Sequence, residues 1–229
     1  MAKQEKRLVI REFGITISAK SHNPTILSPA FLVMHNIVDK TWELSETEKP
    51  ICLDPYARVV YQNGIQITSE PQKISFFDPL LGTSIQETPI IDMAKKYLEK
   101  VPLVSYVAVG INPSGDISVG DDKDSARIYL LDHILAKKNW DLEAQGPVRA
   151  IVNLTIPLQN MTWNLSIEDG FLTLSGEPQK PVVIFRSNLH RIIQDREEKQ
   201  SWQAATEIID GWHDDLKTLS DLLRRYFVE

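Results

Sequence analysis

Alternating apolar and polar positions run through the second half of the chain and predict a series of strands. In MTWNLSI the apolar residues alternate with Thr, Asn and Ser, and VRAIVNLTI has the same period of two. Successive side chains of a strand point to opposite faces, so one face of each strand is apolar and the other is polar. Together with GFLTLS and VVIFRS, these runs predict an antiparallel meander with one face in water.

The first half combines strand patterns with strong turn signals. LVIREFGITIS is rich in β-branched residues and predicts a strand. Asn63-Gly64 between β-forming residues predicts a hairpin, because both residues accept the positive φ of a two-residue turn. Glu70-Pro71-Gln72 predicts a second turn, after which Ile74–Phe77 returns as a strand. VSYVAVGINPSG predicts a further strand that ends in a turn at Asn112–Gly115.

Apolar residues at helical spacing predict three helices. IIDMAKKYLEKV follows Pro89 and is closed by Pro102. GDDKDSARIYLLDHILAKK begins with acidic residues and ends with lysines, as the helix dipole prefers. A long continuous helix is predicted over about residues 198–227. Residues 21–44, which include two prolines, predict an ordered, irregular arm with a short helical turn.

This order of elements predicts an α+β fold with antiparallel β-meanders, helices packed on one face and a long C-terminal helix. No low-complexity segment marks a linker, so we expect residues 1–229 to form a single α+β domain. Each half contains a meander and a helix. This favours the interpretation of a weak duplication, with halves of about 1–115 and 116–229.

Composition narrows the function classes. The chain has 229 residues and a formal net charge of −6, which does not favour a nucleic-acid partner, because phosphate binding needs a basic surface. No segment has the length and apolar character of a signal peptide or a membrane helix. The lone Cys52 implies no disulfide, and its position favours an apolar thiol packed in place over a nucleophile. We therefore expect a cytoplasmic protein that does not bind a membrane.

The segment DGWHDDLKTL holds the densest group of potential metal ligands. His213, Asp214 and Asp215 are consecutive, so on a helix their side chains diverge by about 100° each and do not converge on one ion. We expect no metal site and interpret the aspartates as facing water. The glycine-rich GINPSGDISVGDD lacks the residues of a nucleotide-binding loop, and we expect no cofactor or catalytic residue.

The segment FRSNLHRIIQDREEK carries the candidate binding residues Arg186, Asn188, His190 and Arg191. They follow an apolar strand and include local positive charge in an acidic protein. Two interpretations stay open. The residues form an anion-binding site for a carboxylate or phosphate, or they belong to a strand-to-helix loop in which they cap backbone groups.

Aromatic residues mark a candidate interface on the C-terminal helix. Trp202, Trp212 and Tyr226 share its apolar stripe. Such a stripe is usually core, but large aromatic residues are also the typical hot spots of protein interfaces.

Four segments in order, NPTILSPAFLVMHNIVDKTWEL, ARVVYQNGIQITSEPQKISFFD, YVAVGINPSG and SNLHRII, resemble a family of uncharacterised bacterial proteins of cyanobacterial type. The resemblance covers most of the chain. It implies a bacterial, cytoplasmic origin and carries no activity, cofactor or functional residue.

These observations lead to two hypotheses. The first is a non-catalytic interaction or regulatory protein that acts within a protein complex, with another protein or a second copy of this chain as its partner. The alternative is an enzyme or small-ligand-binding protein with an anion site near Arg186, His190 and Arg191. A pocket lined by these side chains would favour the alternative.

Overall fold

The structure is a computed structural model that describes residues 7–135, 144–173, 178–193 and 200–228. Nine strands are described: β1 (Val9–Ala19), β2 (Ile51–Cys52), β3 (Ala57–Val60), β4 (Gln66–Glu70), β5 (Lys73–Asp78), β6 (Tyr106–Ser118), β7 (Ile151–Pro157), β8 (Thr162–Leu172) and β9 (Lys180–Ile192). The α-helices are α1 (Pro29–Met34), α2 (Ile90–Lys100), α3 (Ser125–Tyr129), α4 (Ser201–Asp210) and α5 (Trp212–Leu223). Short 3-10 helices span Pro24–Ile26 and Ile85–Glu87, and π-helical turns span Leu130–Ile134 and Arg224–Val228.

All nine strands belong to one antiparallel sheet in the order β2-β3-β4-β5-β1-β6-β9-β8-β7. The predicted α+β fold and its antiparallel meanders are confirmed. The hairpin at Asn63-Gly64 joins β3 to β4, and Gly64 has the expected positive φ of 83°. The turn at Pro71-Gln72 joins β4 to β5, as predicted.

The core lies between this sheet and the helices. The middle parts of β1, β8 and β9 bury odd-numbered residues such as Phe13, Trp163 and Phe185 under them. Helix α2 lies over β1 and β5, α4 and α5 lie over β6, and α3 lies over β8 and β9. The arm that contains α1 joins the same core through Leu27 and Leu32. The described helices thus cover one face of the sheet.

Strand β6 corrects the turn predicted at Asn112–Gly115. These residues lie inside a 13-residue strand that pairs with β1 on one side and β9 on the other. The registered pairing with β9 is interrupted at Asn112 and Pro113, where proline has no N–H to donate. Two flanking strands therefore keep a turn-like sequence extended.

Strands β8 and β9 are longer than predicted. GFLTLS does not begin a new strand, because Gly170, Phe171 and Leu172 continue β8. The loop interpretation of Arg186–Arg191 is wrong, because these residues continue β9 to Ile192. In both strands the pairing between β8 and β9 extends beyond the predicted ends, from Thr162–His190 to Leu172–Lys180.

The C-terminal helix is present, but it is not continuous. It is divided at Gly211 into α4 and α5, and residues 194–199 at its predicted start lie outside the described residues. Glycine has the lowest helix propensity after proline, so the division falls where the helix is weakest. The sheet and one cluster of buried side chains contain both halves of the chain. The boundary suggested near residue 115 falls within β6.

Candidate interaction surface

The face of the sheet opposite the described helices is called the open face below. It carries the polar positions of the alternating strands, because residues paired across neighbouring strands share a face. The cross-strand pairs Thr16–Ser75, Asn164–Asn188 and Asn164–Thr155 identify it. Asn164 and Thr155 are exposed, while Thr16, Ser75 and Asn188 are half-buried by their neighbours.

A chain of side-chain hydrogen bonds, called the polar ladder below, crosses the open face through six neighbouring strands. Thr155 Oγ1 on β7 donates to Asn164 Oδ1 on β8 at 3.0 Å, and Asn164 Nδ2 donates to Asn188 Oδ1 on β9 at 3.4 Å. Asn188 Nδ2 then donates to Asn112 Oδ1 on β6 at 2.5 Å. Each of these bonds donates in the same direction, from β7 towards the centre of the sheet.

The second part of the polar ladder continues this direction. Asn112 Nδ2 donates to Thr16 Oγ1 on β1 at 3.2 Å, and the Thr16 and Ser75 hydroxyls on β1 and β5 are 3.0 Å apart. A hydroxyl can donate once while it accepts, so Thr16 can pass the donation to Ser75. The side-chain amide groups of Asn112, Asn164 and Asn188 are each held at both ends. The polar ladder therefore fixes the rotamers of side chains that would normally change rotamer freely at a protein surface.

Two glycines make room for the polar ladder. A Cβ atom on Gly110 would lie 2.6 Å from Nδ2 of Asn188, so any larger residue there would displace that side chain. Gly14 lies directly opposite Asn112 and presents no side chain, so Asn112 reaches diagonally to Thr16. The missing side chains of Gly110 and Gly14 thus determine which neighbours the amide groups of Asn188 and Asn112 contact.

Two arginines on this side of the sheet form ion pairs. Arg186 forms an ion pair with Glu168, and Arg11 donates through Nε to Asp116 Oδ2 at 2.7 Å. The polar ladder itself is uncharged. The polar ladder thus presents ordered hydrogen-bonding groups without charge, and these two arginines beside it are already paired.

The structure separates the four predicted binding residues. Arg186, Asn188 and His190 project from the open face of β9, while Arg191 projects from the opposite face. Both terminal nitrogens of Arg191 donate to the Asp215 carboxylate at 2.5 Å. Both arginines therefore already bind carboxylates, and the four side chains do not converge on one point.

A groove of about 690 Å³ lies at the end of β9, against α4 and the β7–β8 turn. His190 and Arg191 line it together with Met161, Glu207 and Ile208. Arg186 and Asn188 are not among its lining residues. The groove thus gathers half of the predicted binding residues.

The three predicted interface residues have different environments. Trp212 is buried and lies 5.5 Å from Phe13 between ring centroids, so it is a core residue rather than an interface residue. Trp202 is half-buried and donates through Nε1 to Gln200 Oε1 at 2.6 Å. Tyr226 is 63% exposed. Only Trp202 and Tyr226 are accessible to a partner.

The aspartates of DGWHDDLKTL do not share one environment. Asp210 is exposed and binds Lys95 on α2 at 2.6 Å. Asp214 is exposed, but Asp215 is buried against Arg191, so the prediction that it faces water is wrong. Among the described residues, no group of three or more His, Cys, Asp or Glu side chains could hold a metal ion.

His22 forms a buried polar contact that no local pattern in the chain indicates. It bonds Tyr97 OH through Nε2, and Nδ1 lies 2.9 Å from Ser69 Oγ. Burial lowers the pKa of His22 and raises that of Tyr97. Because Ser69 is fully buried, this serine–histidine contact is shielded from substrates and links the arm to the sheet and α2.

Cys52 was expected to be packed but is exposed on β2.

No family model, curated protein or solved structure matches the chain. None of the helices that the structure describes is long and apolar enough to cross a membrane. Asn188 was predicted in a candidate site and Asn164 on a polar face, but the polar ladder was not predicted. The alternation that marks the open face was visible. The strand order and register that bring its six residues together across the sheet were not.

Proposed function

We propose that this is a non-catalytic interaction protein that acts, in a regulatory or assembly role, within a protein complex in the bacterial cytoplasm. The polar ladder on the open face carries the proposal. Its amides are already held in single rotamers, so a partner that covers them loses little further side-chain entropy. An ordered, polar sheet face that none of the described helices covers, with a ladder through six strands, is suited to contact with another polypeptide.

The charge of the open face supports a polypeptide partner over a nucleic acid. Arg186 and Arg11 each have a carboxylate partner, so neither offers the unneutralised positive charge that phosphate backbones require. The polar ladder offers amide and hydroxyl groups, which match the backbone and polar side chains of a protein surface. Specificity would come from the fixed order of donors and acceptors.

Photo-crosslinking in the source cells tests this function. A benzoylphenylalanine at Arg186 should capture a defined polypeptide, because this exposed position lies beside the polar ladder. The matched probe at Leu103, which is 99% exposed and is not part of the sheet, should not capture it. Asn164→Ala should reduce the capture at Arg186 without lowering Tm appreciably, because it interrupts the ladder at an exposed residue.

The purified partner gives the second half of the test. Its affinity for the wild-type protein should fall at least several-fold with Asn164→Ala. If the Arg186 probe captures the same proteins as the Leu103 probe, or if Asn164→Ala leaves the affinity unchanged, the open face is not the binding surface and the proposal fails.

The groove beside His190 favours a second candidate function, an enzyme or ligand-binding protein for small anions. An anion there would compete with Asp215 for Arg191, so binding needs a rearrangement of that ion pair. Inorganic phosphate is a direct probe. A ligand at a hundred times its Kd stabilises the folded state by about 2.7 kcal/mol, so an unchanged Tm at high phosphate would argue against a phosphate site.

A further inference from the structure

The two edges of the sheet differ in how they are protected. Strand β2 forms one edge with only two residues, between Pro50 and Pro55. Short edge strands and prolines are devices that prevent pairing with another chain. Strand β7 forms the other edge with seven residues, IVNLTIP, and none of them is charged. Within the part of the chain that the structure describes, β7 pairs with β8 alone.

The backbone of β7 shows which groups are unpaired at this edge. Leu158 N–H donates to the Met161 carbonyl at 2.8 Å, so this residue points its backbone groups towards β8. Alternate residues of an antiparallel strand share a direction. Ile151, Asn153 and Thr155 therefore point their N–H and C=O groups away from β8. Pro157 lies on the same outward side, where its missing N–H costs no bond within the sheet.

The sequence of β7 has an approximate two-fold pattern about Leu154. A polar residue lies on either side of it, Asn153 and Thr155, and a β-branched apolar residue lies beyond each, Val152 and Ile156. Antiparallel pairing of two copies centred on Leu154 would place polar residues opposite polar ones on the open face. It would also place apolar residues opposite apolar ones on the helix-covered face.

We propose that β7 pairs with β7 of a second copy of this chain, antiparallel and about a two-fold axis through Leu154. The nine-stranded sheets then join into one sheet with all described helices on the same side. Asn153 and Thr155 of the second copy exchange reciprocal backbone hydrogen bonds, and the same pair forms again across the axis. Ile151, which is 63% exposed, lies opposite Pro157 of the second copy.

The direction of the polar ladder supports this occupant. Thr155 donates its hydroxyl proton to Asn164, so its free lone pairs at the edge of the sheet accept. Asn153 of the second copy lies opposite and can donate a side-chain N–H to this oxygen. Each ladder then begins with a donor from the other copy. The two-fold pattern and the donor–acceptor match together favour a second copy over an unrelated extended peptide.

Opposite-charge and like-charge variants of this edge test the proposal and its register. Sedimentation equilibrium of the wild-type protein should give twice the chain mass of 26.1 kDa. Asn153→Lys with Thr155→Lys places like charges opposite each other at both positions, and it should give a single-chain mass. Asn153→Lys with Thr155→Glu places opposite charges together across the axis and should restore the double mass. A single-chain mass for the wild type, or a double mass for the two-lysine variant, would overturn the proposal.

Disulfide trapping tests the position of the axis. With Cys52→Ser as background, Leu154→Cys should form a covalent dimer under mild oxidation. Its two copies are a non-hydrogen-bonded pair with Cα atoms about 4.5 Å apart, within the range for a disulfide. Asn153→Cys should not, since its copies lie two residues out of register and more than about 7 Å apart. Equal trapping at both positions, or none at Leu154, would contradict this register.

This dimer uses the edge of the sheet and leaves the open face uncovered. It therefore extends the interaction function without depending on it. A dimer that shows no crosslinking from Arg186 would retain the edge proposal and remove the open-face one. The reverse result would remove only the dimer.

Discussion

The buried ion pair between Arg191 and Asp215 gives the sharpest test of how the helices are attached to the sheet. Both terminal nitrogens of Arg191 reach the carboxylate at 2.5 Å, and the Asp215 side chain is 4% exposed. Asp215→Ala removes one charge and leaves the other without its partner in a largely dry site. Breaking such a pair costs about 3–5 kcal/mol. Arg191 retains 20% exposure, so we expect about 3 kcal/mol, at the lower end of that range.

Thermal unfolding followed by tryptophan fluorescence measures this effect. A chain of this length loses about 2–4 °C in Tm for each kcal/mol, so Asp215→Ala should lower Tm by about 6–12 °C. Replacing both partners, with Arg191→Met and Asp215→Leu, should recover most of the loss, because no unpaired charge then stays buried. The double variant separates the cost of an unpaired charge from the net contribution of the ion pair.

Two aspartates of the same segment serve as matched controls. Asp210 binds Lys95 at a comparable distance of 2.6 Å, but its side chain is 53% exposed, and exposed pairs contribute only about 0–1 kcal/mol. Asp214 lies in the same first turn of α5 without being buried, so Asp214→Ala reports the helix-dipole effect of about 0.3–1 kcal/mol. If Asp215→Ala costs no more than Asp210→Ala, burial does not govern this ion pair and the reasoning is refuted.

Three further predictions concern pH, core packing and turn geometry. Burial lowers the pKa of His22 from its ordinary 6.5, so as pH falls the unfolded chain binds a proton at this histidine before the folded protein does. The free energy of unfolding should therefore fall as pH drops below about 6.5, and His22→Gln should flatten this part of the pH profile in urea titrations. Trp163→Ala should cost about 3–5 kcal/mol because the indole is almost fully buried, whereas Trp202→Ala should cost much less, and chemical denaturation would contradict this if the losses were equal. Gly64→Ala should lower Tm, because φ is 83° and the new Cβ would lie 2.7 Å from Pro79; an unchanged Tm would show that the hairpin turn relaxes freely.

Local signals in the sequence predicted a large part of this fold. The Asn63-Gly64 hairpin and helix α2 were found because turn chemistry and helical spacing act over a few residues. The alternation around Trp163 correctly placed the buried face of β8. These elements agree with their own local preferences, which is why a single sequence was enough.

The errors occurred where tertiary contacts override local preference. Asn112–Gly115 has the composition of a turn, but β1 and β9 hold it extended between them. Arg186, Asn188 and His190 suggested a loop because they are charged or polar, although their spacing of two, with buried residues between them, also fits a strand. Asp215 was expected to face water from its position on the helix, but its partner Arg191 lies on β9 and buries it. Such pairings depend on register and distance in space, which neighbouring residues do not encode.

The order of strands in the sheet has a consequence for synthesis on the ribosome. Strand β6 ends at Ser118, and its neighbour β9 begins only at Lys180. At about 5–20 residues per second, the edge of β6 that pairs with β9 stays unpaired for several seconds before β9 has been synthesised. During that interval the nascent chain is most vulnerable to association with other nascent chains, so a slower ribosome should increase the demand for chaperones.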